Sequence, residues 1–294
     1  MRKLAVFFGY ILISFGSVFA DSLKLVESEE NESISVFRVG SSEPLLVQSA
    51  REDHRPYLHP IVSPDGKGIL TEYSPGHHPH QTGLYWGFTR INGRDYFHNP
   101  SNGYWKREES RIIVGDGELA KWETVYVLLD ESGEPLMRES QLWSIRDTGE
   151  RYFIDLIWSG EALVDLEFDE YSYGGLFLRM PYKRGESEGL AVNSSRQENQ
   201  RAEGQRAMWV DVGMEIEGRD DWGHITILDH PDNRNFPQMW RVDRQLGIGP
   251  APSRMGAWSI RRGDTETYKH QIVVYGGEFN DLTNNDFWKS YSGQ

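Results

Sequence analysis

Trp122-Glu123-Thr124-Val125-Tyr126-Val127-Leu128, Gln141-Leu142-Trp143-Ser144-Ile145 and Tyr152-Phe153-Ile154-Asp155-Leu156-Ile157-Trp158 decide the fold. Each is a short run rich in β-branched and aromatic residues, with apolar and polar side chains tending to alternate, as in a half-buried strand. Ser132-Gly133 and Asp147-Thr148-Gly149 separate them as turns. Further out, Gly175-Leu176-Phe177-Leu178-Arg179, His224-Ile225-Thr226-Ile227-Leu228, Ala257-Trp258-Ser259-Ile260 and His270-Gln271-Ile272-Val273-Val274-Tyr275 continue the pattern, with a turn at Arg262-Gly263-Asp264. Residues 21–50 are expected to hold the first strands, with Ser41-Ser42-Glu43-Pro44 as a turn. The one short helix candidate is Asp281 to Tyr291. Many short strands without alternating helices predict an all-β fold, a large antiparallel two-sheet sandwich. No linker, low-complexity tract or repeat divides the chain, so residues 21–294 are read as a single β-sandwich domain.

Met1 to Ala20 reads as a secretory signal peptide. Arg2 and Lys3 form its positive end, Leu4 to Phe15 its mainly apolar middle, and Val18-Phe19-Ala20 its cleavage box. The apolar run falls short of the ~20 residues a spanning helix needs, and no later segment approaches that length. The expectation is a periplasmic or secreted protein with no membrane insertion after cleavage. Lys and Arg number 31 against 45 Asp and Glu, a net charge of −14. That balance speaks against nucleic acid, whose phosphates need a basic surface. It leaves room for an anionic small substrate, because a local arginine cluster can override the global field. There are no cysteines, which excludes thiol nucleophiles, disulfides and Cys-based zinc sites.

Five of the nine histidines (His54, His59, His77, His78, His80) fall within Arg55-Pro56-Tyr57-Leu58-His59-Pro60 and His77-His78-Pro79-His80-Gln81-Thr82-Gly83 or beside them. Imidazole titrates near neutrality and is the commonest nitrogen ligand for metals. His78 and His80, at i and i+2, share one face if the segment is extended. With His59 they would make a three-nitrogen site for a divalent ion such as zinc or manganese. The competing reading is a Pro/Gly-shaped loop whose histidines hydrogen-bond sugar hydroxyls or backbone carbonyls. The cofactor stays open between these.

Asp229-His230-Pro231-Asp232-Asn233 follows the strand ending at Leu228. There the carboxylate can orient an acid–base imidazole, or the residues can simply make Asx turns. Arg55, Arg179, Arg234 and Arg241 stand among glycine, proline and aromatics, where a guanidinium fork suits vicinal oxygens or a carboxylate. The ordinary alternative for each is a structural ion pair. Among ten tryptophans, Trp86, Trp209 and Trp240 suit stacking on a sugar ring, although most aromatics in a sandwich are core. No nucleophile elbow, P-loop or dinucleotide fingerprint stands in a credible context.

Arg55-Pro56-Tyr57-Leu58-His59-Pro60, His77-His78-Pro79-His80-Gln81-Thr82-Gly83-Leu84, Tyr173-Gly174-Gly175-Leu176, Ala207-Met208-Trp209-Val210-Asp211 and Ile227-Leu228-Asp229-His230-Pro231-Asp232-Asn233 together resemble a bacterial family commonly labelled "methane oxygenase PmoA". The likeness covers most of the chain beyond residue 20. The label names integral membrane subunits, a poor match to a chain with no later apolar span. What the resemblance implies is an exported protein accompanying carbohydrate-degrading systems, with a fold similar to the galactose mutarotase-like (aldose epimerase) β-supersandwich.

The expectation is a carbohydrate-active enzyme (hydrolase, lyase or epimerase) using acid–base or metal-assisted chemistry on a small saccharide or glycan fragment. His78, His80, Asp229 and His230 are its candidate catalytic residues. Arg55, His59, Gln81, Trp86, Arg179, Asn233 and Trp240 would bind substrate, and His59, His78 and His80 a metal. The different-class alternative is a non-catalytic saccharide-binding protein. A single pocket is expected to gather Arg55, His59, His78, His80, Arg179, Asp229, His230 and Trp240.

Overall fold

The alternating runs fold as strands longer than their apolar centres, at Leu119–Leu129, Pro135–Asp147, Arg151–Ala162 and Thr265–Gly276. The computed structural model describes residues 22–294, so the signal peptide read at 1–20 lies outside the described residues. Along Arg151–Ala162 every second residue is buried, so one face of the strand meets the core. These four strands form an eight-stranded antiparallel sheet with Trp105–Val114 at one edge and, beyond Thr265–Gly276, Trp222–Asp229, Trp209–Glu215 and Gly189–Asn193. A nine-stranded antiparallel sheet runs in the order Trp240–Val242, Ile248–Pro250, Gly175–Leu178, Leu84–Gly87, Tyr57–Ile61, Pro44–Ser49, Ser33–Arg38, Leu23–Ser28 and Asp116–Gly117. Leu166–Phe168 pairs with Trp258–Ile260 as a separate ribbon.

The two large sheets pack face to face, as the antiparallel sandwich expectation required. Trp86 of the nine-stranded sheet stacks on Trp158 of the other at 4.6 Å between ring centroids. Trp122 Nε1 donates to Gln48 Oε1 at 3.4 Å, and the Tyr126 hydroxyl to the Arg51 carbonyl at 2.8 Å. One contiguous apolar core joins residues of both sheets, from Leu23 to Val274. Truncating a tryptophan such as Trp86 or Trp158 to alanine would cost about 3–5 kcal/mol.

On the outer face of the eight-stranded sheet lies the helix Asp281–Ser292. Asn280 caps it by accepting from the Leu282 and Thr283 amides, and Gly293 ends it in the left-handed conformation. Trp288 Nε1 donates to the Asp229 carbonyl and Trp209 Nε1 to Asn285 Oδ1, both at 2.9 Å. Trp209, Leu228 and Val273 meet this helix, whereas their neighbours Val210, Ile227 and Ile272 face the sandwich core. No helix among the described residues is long and apolar enough to cross a membrane.

Glu139 sits within the core, with Oε1 accepting from Gln141 Nε2 at 2.7 Å. Burial pushes its carboxyl from the ordinary 4.5 up to about 7. A raised folded-state pKa contributes stability that is full below the unfolded value and lost as pH rises through the folded one. Glu139→Gln, which mimics the protonated acid, is therefore expected to match the parent near pH 4.5. Above pH 7 it should exceed the parent by up to about 3 kcal/mol. Urea denaturation at the two pH values checks this, and the same difference at both would contradict it.

Candidate functional site

Period-two alternation places two sets of side chains on opposite faces of the nine-stranded sheet. In Leu84–Gly87, Leu84 and Trp86 point into the core, and Tyr85 points outward. On the paired strand Leu176 and Leu178 point in, and Phe177, in register with Tyr85, points out. Trp240 and Val242 likewise belong to the core, and Arg241 between them faces the outside. Tyr85, Phe97 and Phe177 form an apolar patch on that outer face, with Tyr57 and Tyr173 against it. Over this patch opens a cleft lined by His78, His80, Gln81, Phe97, His98, Tyr173, Phe177, Arg241 and Asp243.

The histidine segment is two successive tight turns, the Pro/Gly-shaped loop of the two alternatives, and not the extended segment on which a shared face for His78 and His80 depended. The His78 amide donates to the Pro75 carbonyl at 2.8 Å, and the Gln81 amide to the His78 carbonyl at 3.0 Å. Gly83 (φ +81°) ends the loop where a Cβ would lie 2.4 Å from the Leu58 carbonyl oxygen, so only glycine fits. The turns still bring the His78 and His80 rings to 5.7 Å between centroids.

A second loop brings His98, whose ring lies 4.5 Å from that of His80. Asp95 Oδ1 accepts from the Phe97 and His98 amides, and Oδ2 pairs with His98 Nδ1 at 2.7 Å. The carboxylate therefore places a proton on Nδ1 and leaves Nε2 to accept from the Tyr173 hydroxyl at 3.1 Å. Burial alone would push the Asp95 carboxyl up, but the hydrogen bonds and charge of His98 outweigh it and hold the group below its usual range. His80 is driven down to about 3, first by burial and then by the charges of His98 and Arg55, so its ring is neutral near pH 7. Burial, then His77 and Arg179, also lower His78. The Arg241 guanidinium lies 5.5 Å from the Tyr173 ring centroid. Gln81 Oε1, His78 Nδ1 and the Tyr85 hydroxyl are buried without hydrogen-bond partners.

Arg55 lies beneath the cleft, fully buried, with its guanidinium 3.7 Å from the Tyr85 ring centroid. Nη2 donates to the His80 carbonyl at 2.6 Å and Nη1 to the Phe97 carbonyl at 2.5 Å. One rigid fork thus ties the two histidine-bearing loops together.

The profile of a family of unknown function, DUF6807, matches residues 42–289. The chain belongs to the DUF6807 family. No curated protein matches the sequence. Among solved structures, a GH36 α-galactosidase, AgaB, from Geobacillus stearothermophilus aligns over 86% of this chain and 41% of its own at 9% identity and a TM-score of 0.46. An α-galactosidase from Lactobacillus brevis aligns over 89% of this chain and 40% of its own, at 9% identity and a TM-score of 0.35. A galactose mutarotase related enzyme from Lactobacillus acidophilus aligns over 86% and 97%, at 10% identity and a TM-score of 0.32. The chain thus spans about two fifths of the length of these α-galactosidases.

In this DUF6807 protein the residues singled out from sequence divide among several places. His78, His80 and Gln81 line the cleft. Arg179 adjoins it, fully buried, 3.0 Å from His77 Nε2 and bonded to Glu72 and to Gln245 Oε1 at 2.7 Å. Arg55 does not line the cleft and supports it from beneath, through backbone carbonyls, Thr82 Oγ1 and the Tyr85 ring. His59 faces a different groove and bonds Thr71 Oγ1 at 2.9 Å, so the expected His59–His78–His80 metal set does not assemble. Among the described residues no group of three or more His, Asp or Glu is arranged to hold a metal ion.

His230 lines a third cleft, on the outer face of the eight-stranded sheet beside Tyr291 of the helix. Asp229 is buried, and its carboxylate accepts from Asn233 Nδ2 at 2.7 Å and the Gln238 amide at 2.9 Å. Burial drives it up to about 7. Asp229 and Asn233 therefore stitch a turn, the Asx alternative. Trp86 and Trp240 are core, the latter donating to the Ala207 carbonyl at 2.9 Å. The expected single pocket is thus corrected: His59, Asp229, His230 and Trp240 do not share the cleft of His78 and His80. Arg234 pairs with Glu266 at 2.9 Å, as an ordinary ion pair, and Trp209 meets the helix. Asp95, His98 and Asp243 escaped the sequence reading. The one signal for the first two was the Asp-x-x-His spacing of a local carboxylate–imidazole pair.

Proposed function

We propose that the cleft over Tyr85 and Phe177 binds a saccharide and performs acid–base chemistry on it, with Tyr173, His98 and Asp95 as a proton relay. The observation that carries this reading is the chain from Asp95 Oδ2 through His98 to the Tyr173 hydroxyl, at 2.7 and 3.1 Å, which ends at the cleft. When a bound sugar hydroxyl gives its proton to the Tyr173 oxygen, Tyr173 passes its own to His98 Nε2. The tyrosine is unchanged, and the imidazolium is stabilised by ionised Asp95. The reverse transfer delivers a proton to a leaving or ring oxygen. Neutral His80 beside His98 adds no opposing charge. Burial, then Tyr171, push the Tyr173 hydroxyl well above its ordinary value and outweigh the opposing charge of Arg241, so the tyrosine hands a proton on without standing as an anion.

A sugar as ligand is supported by the lining. Tyr173 is half-exposed at the cleft above the buried Phe97 and Phe177 and gives an apolar wall for ring C–H groups, and Gln81 Oε1 and His78 Nδ1 are buried polar atoms without partners. Hydroxyl groups satisfy both demands at once. The protein is read as exported, by its first 20 residues, and so would meet glycan fragments outside the cytoplasm. The test is incubation of the purified protein with glycosides, glycan fragments and 3-keto-sugars, followed by product analysis and calorimetry. A product from at least one saccharide is expected. Binding without any product across the panel would favour a non-catalytic saccharide-binding protein.

A further inference from the structure

A second cleft adjoins the first across Asp243, which lines both, and its other walls include Tyr182, Arg184, Asn199 and Arg244. Around the first cleft Arg55 is spent on backbone carbonyls, and three further arginines are tied to carboxylates: Arg179 to Glu72 at 3.2 Å, and Arg241 and Arg254 to Glu203 at 2.7 Å each. Arg184 and Arg244 are exposed, and neither forms an ion pair among the described residues. In a chain of net charge −14, carboxylates outnumber cations, so two unpaired guanidinium groups on one cleft concentrate positive potential there. Asn199 spends its Oδ1 on the Ala191 amide at 3.0 Å and keeps its NH2 group for another acceptor. The Tyr182 ring is half-buried against the core beside them. Planar forks, an amide donor and a ring face suit a sugar bearing an anionic group.

We propose that this adjoining cleft is a subsite for an anionic substituent, a uronate carboxylate or a sulfate ester, on a sugar next to the one in the histidine cleft. The inference rests on the carbohydrate reading above and narrows its substrate class to acidic oligosaccharides. Asp243 marks the boundary between the two positions, its Oδ1 accepting from the Gln245 and Gly247 amides, and the two arginines must outweigh its charge within the subsite.

The test is an array of oligosaccharides in length-matched sets of neutral, uronate-containing and sulfated members, with calorimetry of those that bind. Anionic members should bind about tenfold more tightly than their neutral counterparts at low salt, one charge-assisted contact being enough for that factor. Raising ionic strength should erode the advantage. Arg184→Gln/Arg244→Gln should abolish it and leave neutral binding unchanged, with an unaltered melting temperature because both side chains are exposed. The uronate and sulfate arms tell which anion is preferred. Equal binding of neutral and anionic members would overturn the subsite and leave the carbohydrate reading standing. An advantage that persists in the double variant would overturn its assignment to these arginines. No binding by any member would overturn both.

Discussion

Arg55→Ala should lower stability by about 4 kcal/mol, because it leaves the His80 and Phe97 carbonyls without donors and opens a cavity under Tyr85. For a chain of this size the melting temperature should fall by roughly 10 °C. Burial lowers the guanidinium only to about 10, so Arg55 remains a cation near neutrality. Its loss removes a charge as well as four hydrogen bonds, the two short ones to His80 and Phe97 and longer ones to the Tyr96 carbonyl and Thr82 Oγ1. Arg55→Lys is the informative control. A lysine keeps the charge but has no planar fork, so it cannot span both carbonyls in the same geometry, and an intermediate loss is expected. Thermal denaturation of both variants checks this. Changes within about 0.5 kcal/mol of the parent, typical of surface substitutions, would show that the fork does not hold the loops.

His98→Ala should reduce turnover of any saccharide processed by the protein by about 10²- to 10⁴-fold, the usual contribution of a positioned acid–base group. Saccharide binding should survive, because the aromatic floor and Gln81 remain. Asp95→Asn should fall in the same range. An amide no longer enforces the Nδ1–H tautomer and cannot stabilise the imidazolium. His230→Ala and His59→Ala should leave turnover within about twofold of the parent, since each faces a separate cleft. Steady-state kinetics on the best substrate decides it. A silent His98→Ala beside an inactive His230→Ala would move the chemistry to the other sheet.

The strands were readable because burial on one face writes itself into every second residue. Tyr152 to Trp158 lies inside the strand Arg151–Ala162, and Asp281 to Tyr291 is within one residue of the helix Asp281–Ser292. The same alternation explains the misplaced tryptophan. Trp240 and Arg241 are neighbours, both suited to a sugar, and only their register in the sheet sends Arg241 to the cleft and Trp240 to the core. His78, His80 and Gln81 were legible because they crowd one short loop. His98 was not, since its link to His80 is made through space by Arg55, whose two donors hold carbonyls 17 residues apart in sequence at His80 and Phe97. Asp229-His230 looked like an acid–base pair, but the two residues part at the end of a strand. The carboxylate turns inward to Asn233 and Gln238, and the ring turns outward beneath the helix.

The most direct measurement is a ¹H–¹⁵N NMR titration of the imidazole rings with a saccharide found in the binding panel. The rings of His78, His80 and His98 should shift together and saturate with one affinity, while those of His59 and His230 stay fixed. Shifts at His230 or His59 without shifts at His80 and His98 would contradict the placement of the site on the outer face of the nine-stranded sheet.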